Sequence, residues 1–300
     1  MKKFSIWIST MRLRTLPLSI SGIILASCFA YYNGFFDWEI CLFAILTTLS
    51  FQILSNLAND YGDGVKGTDN NNRIGPERAI QSGKISPEEL FNGIKLNIII
   101  SIALSCALVY IAFGVKYIFL ALLFFILAIA SIISAVRYTI GKNAYGYRGL
   151  GDFFVFIFFG LVSVIGCYVL FGKKIDHVTI LPAITIGLLS VAVLNLNNMR
   201  DIISDKKSNK ITLAVILGEK NIKVYHNLLI LSAIVISGLF VILYYINPLS
   251  LFFTISYVPL LIHLKKINQN KEPKLLDPEL KKLALTTFLL SVLMGLAYLI

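Results

Sequence analysis

Long apolar blocks alternate with short polar connections along the whole chain. Nine blocks are long enough to cross a bilayer, for which roughly 20 apolar residues suffice. They are expected at about Leu16–Tyr32, Trp38–Ala58, Leu90–Phe113, Tyr117–Val136, Phe153–Phe171, Val178–Asn195, Val224–Ile246, Leu249–Leu264 and Leu283–Ile300. Lipid offers a spanning backbone no hydrogen-bond partner, so each block is expected to be a helix. A segment containing Trp7 precedes the first block and is expected to lie in the interface. Pro87 marks a helix start, and Pro182 stands near the beginning of the sixth block, where a first turn tolerates it. The pattern predicts an all-α integral membrane protein, one polytopic domain over residues 1–300 with nine transmembrane helices in a bundle.

Composition agrees. The chain is 57% hydrophobic and 14% charged, with a mean hydropathy of +0.80, far from the balance of a soluble domain. Its net charge of +11 does not signal nucleic acid, since no basic stripe with interleaved aromatics and no nucleic-acid module is present. The basic residues instead sit between apolar blocks, beside the lipid bilayer. Of the 27 Lys and Arg residues, only Lys116, Lys173 and Lys174 fall on connections after odd-numbered blocks. By the positive-inside rule, the N-terminus and the even-numbered connections are expected to be cytoplasmic, and the expected location is the inner, cytoplasmic membrane. Lys2 and Lys3 precede apolar sequence without a small-residue cleavage site, so this stretch is expected to stay in the mature protein. Cys28, Cys41, Cys106 and Cys167 lie apart within apolar blocks, as small hydrophobes do. His177, His226 and His263 are scattered, with no zinc or haem spacing.

Nearly all acids fall in the cytoplasmic connections, which places function at that face. The second block ends in Asn56-Leu-Ala-Asn59-Asp60-Tyr-Gly-Asp63. If the helix continues through Asp63, then Asn56, Asp60 and Asp63 share one face. The sixth block ends in Asn197-Asn198-Met-Arg-Asp201-Ile-Ile-Ser-Asp205, with Asn197, Asp201 and Asp205 on one face. Two helices four blocks apart thus end alike, an internal pseudo-repeat. Carboxylate and amide oxygens are hard ligands suited to Mg²⁺ or Ca²⁺, and Mg²⁺ pairs one or two carboxylates with substrate phosphate. The plainer alternative is helix capping and pairing with neighbours such as Arg200, Lys206 and Lys207.

Basic residues beside the acids suit a diphosphate: Arg73, Arg78 and Lys84 after the first motif, Lys206 and Lys210 around the second. The connection after block four carries Tyr138, Tyr145 and Tyr147 among glycines. These tyrosines suit an aromatic or cationic species, or simply an interfacial aromatic belt. Asp152 opens block five, where a carboxylate favours a helix N-terminus.

These residues resemble the UbiA superfamily of intramembrane prenyltransferases, whose members have nine transmembrane helices and two Asp-rich motifs. Asn59, Asp60 and Asp63 match the first motif, and Asp201 and Asp205 the second. The superfamily's next acid is replaced by Gly67, with Asp69 two residues later. Asn59-Asp-Tyr-Gly-Asp63, Lys66-Gly-Thr-Asp69, Arg73-Ile-Gly-Pro76, Tyr145-Gly-Tyr-Arg-Gly-Leu-Gly-Asp152, Asn197-Asn-Met-Arg-Asp201 and Met11-Arg-Leu-Arg-Thr-Leu-Pro17 look like the branch acting on 1,4-dihydroxy-2-naphthoate in menaquinone synthesis. Ile140-Gly141-Lys142 departs from that branch, which has a Gly-Gly-Pro-like turn there.

The resemblance implies transfer of a polyprenyl group from an allylic polyprenyl diphosphate to the naphthoate, with loss of CO₂, giving demethylmenaquinone. It implies two Mg²⁺ ions on Asp60, Asp63, Asp201 and Asp205, supported by Asn59 and Asn197 or Asn198, with Arg73 and Arg78 on the diphosphate. Two other readings stand beside it: another aromatic acceptor such as 4-hydroxybenzoate or homogentisate, and a cation-coupled transporter. A transporter predicts acids near mid-bilayer and broken spans.

Overall fold

The computed structural model describes residues 2–69 and 74–299, and among them it is helical, without strands. A short helix, α1 (Lys2–Met11), precedes the first membrane helix, α2 (Leu16–Tyr32). The others are α3 (Trp38–Val65), α4 (Pro87–Phe113), α5 (Ile118–Arg137), α6 (Gly151–Gly172), α7 (His177–Lys207), α8 (Leu213–Leu243), α9 (Pro248–Gln269) and α10 (Pro273–Leu299). Counting α1 with α2, nine helices among the described residues are long and apolar enough to cross a membrane.

The expected spans and these helices coincide in number and order but differ at their ends. Helix α3 runs past Ala58 to Val65, and α7 runs past Asn195 to Lys207. Both continue because their polar last turns find partners inside the protein rather than in lipid. Helix α8 begins at Leu213, capped by the Thr212 hydroxyl, and kinks at Gly218. Helix α9 opens as a 3₁₀ stretch (Pro248–Ser256), and the middle of α6 is a π-helix (Phe156–Gly166).

Helix α7 is the most enclosed, packed against α6, α8 and α10. Helix α2 lies against α10, α3 and α6, while α4 and α5 pack on α3. The apolar core around Leu25, Phe29, Val164, Ile186, Leu189 and Leu290 joins these groups. Helix α5 turns Phe119, Leu122, Leu123 and Ile126 outward, as a lipid-facing helix does. Where α6 meets α7 the backbones touch: a Cβ on Gly160 would stand 2.7 Å from the Ala183 carbonyl oxygen and from Gly187 Cα. Only glycine permits that approach.

Helix α3 has 28 residues, about 42 Å at 1.5 Å per residue, against a hydrocarbon core of about 30 Å. Helices α3 and α7 both exceed that thickness, and the acids of their motifs lie in the C-terminal turns.

Candidate active site

The ends of α3 and α7 share one cavity of about 360 Å³. Its polar end is lined by Asn59, Asp63, Asp69, Asn197, Asn198, Asp201 and Asp205, with the basic residues Arg12, Arg78 and Lys210 among them. Its apolar end runs between α5 and α6, past Phe124, Leu127, Phe154, Phe158, Phe159 and Val162.

Three of the acids, Asp60, Asp63 and Asp201, are held by bases. Asp60 is buried behind Arg12 and Arg78: it is ion-paired to Arg12, and Arg78 Nη1 lies 3.4 Å from its Oδ1. The turn that delivers Arg12 puts its backbone in the left-handed region, φ 51°. Asn56 ties that turn down by donating to the Met11 carbonyl at 2.9 Å. Asp63 accepts from Lys210 Nζ at 2.8 Å and from the Tyr147 hydroxyl at 2.7 Å. Since Tyr147 donates to Asp63, the Thr68 hydroxyl, 2.7 Å away, donates to Tyr147. Arg200, almost wholly buried, grips Asp201 through Nε at 3.0 Å and Nη2 at 2.6 Å. It also reaches Asp277 of α10 at 2.5 Å and Asn197 Oδ1 at 2.9 Å. Asp205 accepts the Lys210 backbone N–H at 2.9 Å through its carbonyl, closing the turn that carries Lys210.

These contacts set the charges outside the membrane spans. Burial works against the Lys210 ammonium, but the carboxylates of Asp63 and Asp205 outweigh it and hold its pKa above the usual lysine value. Burial, with Asp63 adding to it, pushes the Tyr147 phenol up, so it stays a hydrogen-bond donor. Burial also raises Tyr138, followed by the charges of Asp63, Asp152 and Asp205.

Tyr138 and Tyr145 form the shoulder between the polar and apolar ends, ring centroids 5.3 Å apart and edge-on. Tyr145 stacks on Phe154 at 4.0 Å and donates to the Ser134 carbonyl at 2.9 Å. The connection bearing them wraps the end of α3, where Thr139 donates to the Ala58 carbonyl at 2.8 Å. A Cβ on Gly62 would meet Thr139 at 2.5 Å, so glycine lets the loop close on the acidic turn. A single β-bridge between Arg148 and Ile211 joins this loop to the one carrying Lys210.

Most residues singled out from sequence thus meet in one place. Asp63, Asp201, Asp205, Asn59, Asn197, Asn198, Arg78, Lys210, Tyr138 and Tyr145 line the cavity. Asp60 and Tyr147 stand directly behind it, bonded to lining residues. Arg73 lies outside the described residues. Lys84 pairs with exposed Glu77, and Asp152 accepts from Tyr225 of α8, so neither faces the cavity. Arg12, Asn56, Thr68 and Asp69 line it as well. The Arg12–Pro17 stretch was visible in the sequence, but a basic pair before an apolar span reads equally as a topology signal.

The donor set fits a hard divalent cation, because the polar end offers carboxylates and amide oxygens and neither thiolate nor imidazole. Among the described residues no three carboxylates, imidazoles or thiolates converge on one point.

Known proteins match this arrangement along nearly the whole chain. The 1,4-dihydroxy-2-naphthoate octaprenyltransferase of Escherichia coli (strain K12) is 40% identical over 291 residues, covering 96% of this chain and 94% of that protein. The enzyme of the same name from Haemophilus influenzae is 39% identical over 303 residues, 100% of this chain and 97% of its own. A UbiA homolog from Archaeoglobus fulgidus, solved bound to GPP and Mg²⁺, shares the fold at a TM-score of 0.64 and 14% identity, covering 96% of this chain and 99% of that one. The apo UbiA homolog from Aeropyrum pernix K1 aligns at 0.65, also at 14% identity, over 96% of both chains. The model of the UbiA prenyltransferase family spans residues 20–292, taking in both acidic helix ends, and the chain belongs to that family.

Proposed function

We propose that this protein transfers a polyprenyl group from an allylic polyprenyl diphosphate to 1,4-dihydroxy-2-naphthoate with loss of CO₂, a step of menaquinone synthesis. The observation that carries the reading is a single cavity that joins paired acids and bases at one end to an aromatic, apolar passage at the other. A diphosphate with a long hydrocarbon tail has the same two-part chemistry. The relatives at 40% and 39% identity carry the name of this activity.

Asp60, Asp63, Asp201 and Asp205, with Asn59, Asn197 and Asn198, are the residues that would hold Mg²⁺. Bound there, Mg²⁺ supplies charge neutralisation for the departing diphosphate. Arg12, Arg78 and Lys210 bind the diphosphate oxygens and stabilise the charge that grows on them as the allylic C–O bond breaks. The tyrosine shoulder of Tyr138 and Tyr145 flanks the point where the allylic carbon emerges, and its π faces favour the positive charge left there. Burial keeps both phenols protonated, so they do not compete as nucleophiles. The ring carbon bearing the carboxylate attacks that carbon. A C–C bond forms, and the departing CO₂ leaves its electron pair to restore aromaticity. Aromatic and aliphatic walls exclude water, which would otherwise capture the cation.

The distribution of Lys and Arg supports a cytoplasmic N-terminus and a site opening to the cytoplasmic side of the inner membrane. The test is purified protein supplied with 1,4-dihydroxy-2-naphthoate, an allylic polyprenyl diphosphate and Mg²⁺, followed by mass spectrometry of the lipid extract. The expected product is the prenylated, decarboxylated naphthoquinol, lost with EDTA and in Asp201→Ala. Prenylation of 4-hydroxybenzoate in place of the naphthoate would overturn the acceptor assignment.

A further inference from the structure

On the outer surface of the bundle, apart from the carboxylate cavity, α9 and α10 leave an open cleft of about 300 Å³. Pro259, Ile262, Leu283 and Leu285 form its apolar walls, and His263, Lys266, Glu279 and Lys282 form its head. From Lys266 back to Pro259 the cleft follows α9 for about 10 Å along the helix axis. Val258, Leu261, Ile262, Leu285 and Leu289 are exposed beside it, so it opens toward lipid.

The head is a built site. Buried Glu279 accepts from Lys282 Nζ at 2.7 Å and Lys266 Nζ at 3.4 Å through the same oxygen. Its other oxygen accepts from His263 Nδ1 at 3.0 Å. His263 is held in turn by His226 at 3.0 Å, and His226 by Asn195 of α7 at 3.1 Å. This buried chain fixes the carboxylate, and the carboxylate gathers the two ammoniums. Both lysines remain about half exposed. Each ammonium has three donors and gives one to Glu279, leaving a surplus of one positive charge at the mouth of an apolar groove.

We propose that this cleft is a binding site for an anionic phospholipid, its phosphodiester bridging Lys266 and Lys282 and an acyl chain lying along α9 and α10. A phosphodiester's single negative charge matches the surplus, whereas the cationic group of a zwitterionic headgroup would meet two ammoniums. The head lies at the same end of the bundle as the C-termini of α3 and α7, the end rich in Lys and Arg, where basic pockets between helices meet anionic lipid. The proposal does not depend on the acceptor or on the prenyl chemistry.

The full-length protein, reconstituted in nanodiscs of equimolar phosphatidylglycerol and phosphatidylcholine and returned to mild detergent, is examined by native mass spectrometry for retained lipid. Phosphatidylglycerol is expected to be retained several-fold over phosphatidylcholine. Lys266→Ala/Lys282→Ala and the cleft-filling Leu285→Trp should each abolish the preference, while Lys271→Ala/Lys274→Ala, on the adjoining connection, should keep it. Added inorganic phosphate should not displace the lipid. An unchanged preference in both cleft variants, or equal loss in the Lys271/Lys274 control, would show diffuse surface charge instead and overturn the proposal.

Discussion

Arg12 reaches Asp60 from a left-handed backbone position, a conformation costing a non-glycine residue about 1–3 kcal/mol. The surrounding hydrogen bonds to Asn56 and Thr15 hold it there. That guanidinium lines the cavity beside Arg78 and is the one proposed above to bind the diphosphate. Hydrogen bonds to charged groups are worth about 1.5–3 kcal/mol, so Arg12→Ala is expected to raise KM for the allylic diphosphate roughly tenfold to a hundredfold. KM for the naphthoate should stay near its original value, and steady-state kinetics with each substrate varied in turn separates the two. Lys210 gives a second expectation. Its folded pKa lies above the unfolded one, so the stability contributed by its bond to Asp63 is complete below the ordinary lysine value of ~10.4 and is lost only as pH rises through the folded value. Lys210→Met breaks a buried pair, at a cost of about 3–5 kcal/mol. The drop in Tm should be the same from about pH 6 to pH 9; a drop that shrinks toward pH 9 would mean the ammonium is already titrating. Asp60, Asp63, Asp201 and Asp205 were legible as residues because acids are rare beside apolar spans. Their pairings were not: Tyr147, itself singled out, and Arg12 meet the acids through loop paths that spacing along the chain does not encode.

At the scale of elements, the spans were legible because hydrocarbon demands a long apolar run, and the helical spacing of the acids hinted that two of them continue past it, but not how far. Helices α3 and α7 continue well past the last apolar block because Arg200, Lys210 and Arg12 satisfy their acids internally. A hydropathy pattern carries no trace of such pairing across the bundle. The π-helical stretch of α6 was equally hidden, since its residues are apolar all round and give no periodicity. That stretch sets Phe158, Phe159 and Val162 along the cavity, while Gly160 holds it against α7. Gly160→Ala would force a methyl group against backbone atoms that cannot turn aside, an overpacking cost of about 1–3 kcal/mol. Thermal unfolding in detergent should show a lower Tm, and activity should fall at temperatures where the protein is still folded, because the apolar wall shifts with α6. A Tm equal to that of the unmodified protein would mean the two helices part freely.

Across the whole molecule, nearly all bases and most acids gather at one end of the bundle, leaving the other end to Lys116, Lys173, Lys174, Asp37, Glu39 and Asp176. Single cysteines placed at Lys142 and at Lys174, after replacement of the four native ones, test the orientation. A membrane-impermeant thiol reagent should label the Lys174 position in intact spheroplasts and the Lys142 position only in inverted vesicles; the reverse pattern would turn the protein over. The pairing of Asp60, Asp63 and Asp201 with bases has a consequence for what the empty site ignores. An anion alone would draw Arg12 and Arg78 away from Asp60 and strand a buried carboxylate, and a cation alone would strand the guanidiniums. Only a ligand bringing both signs replaces each pair that it breaks. On the proposed function, the resting site is expected to act as a coincidence detector, deaf to the cell's free phosphate and free magnesium taken singly.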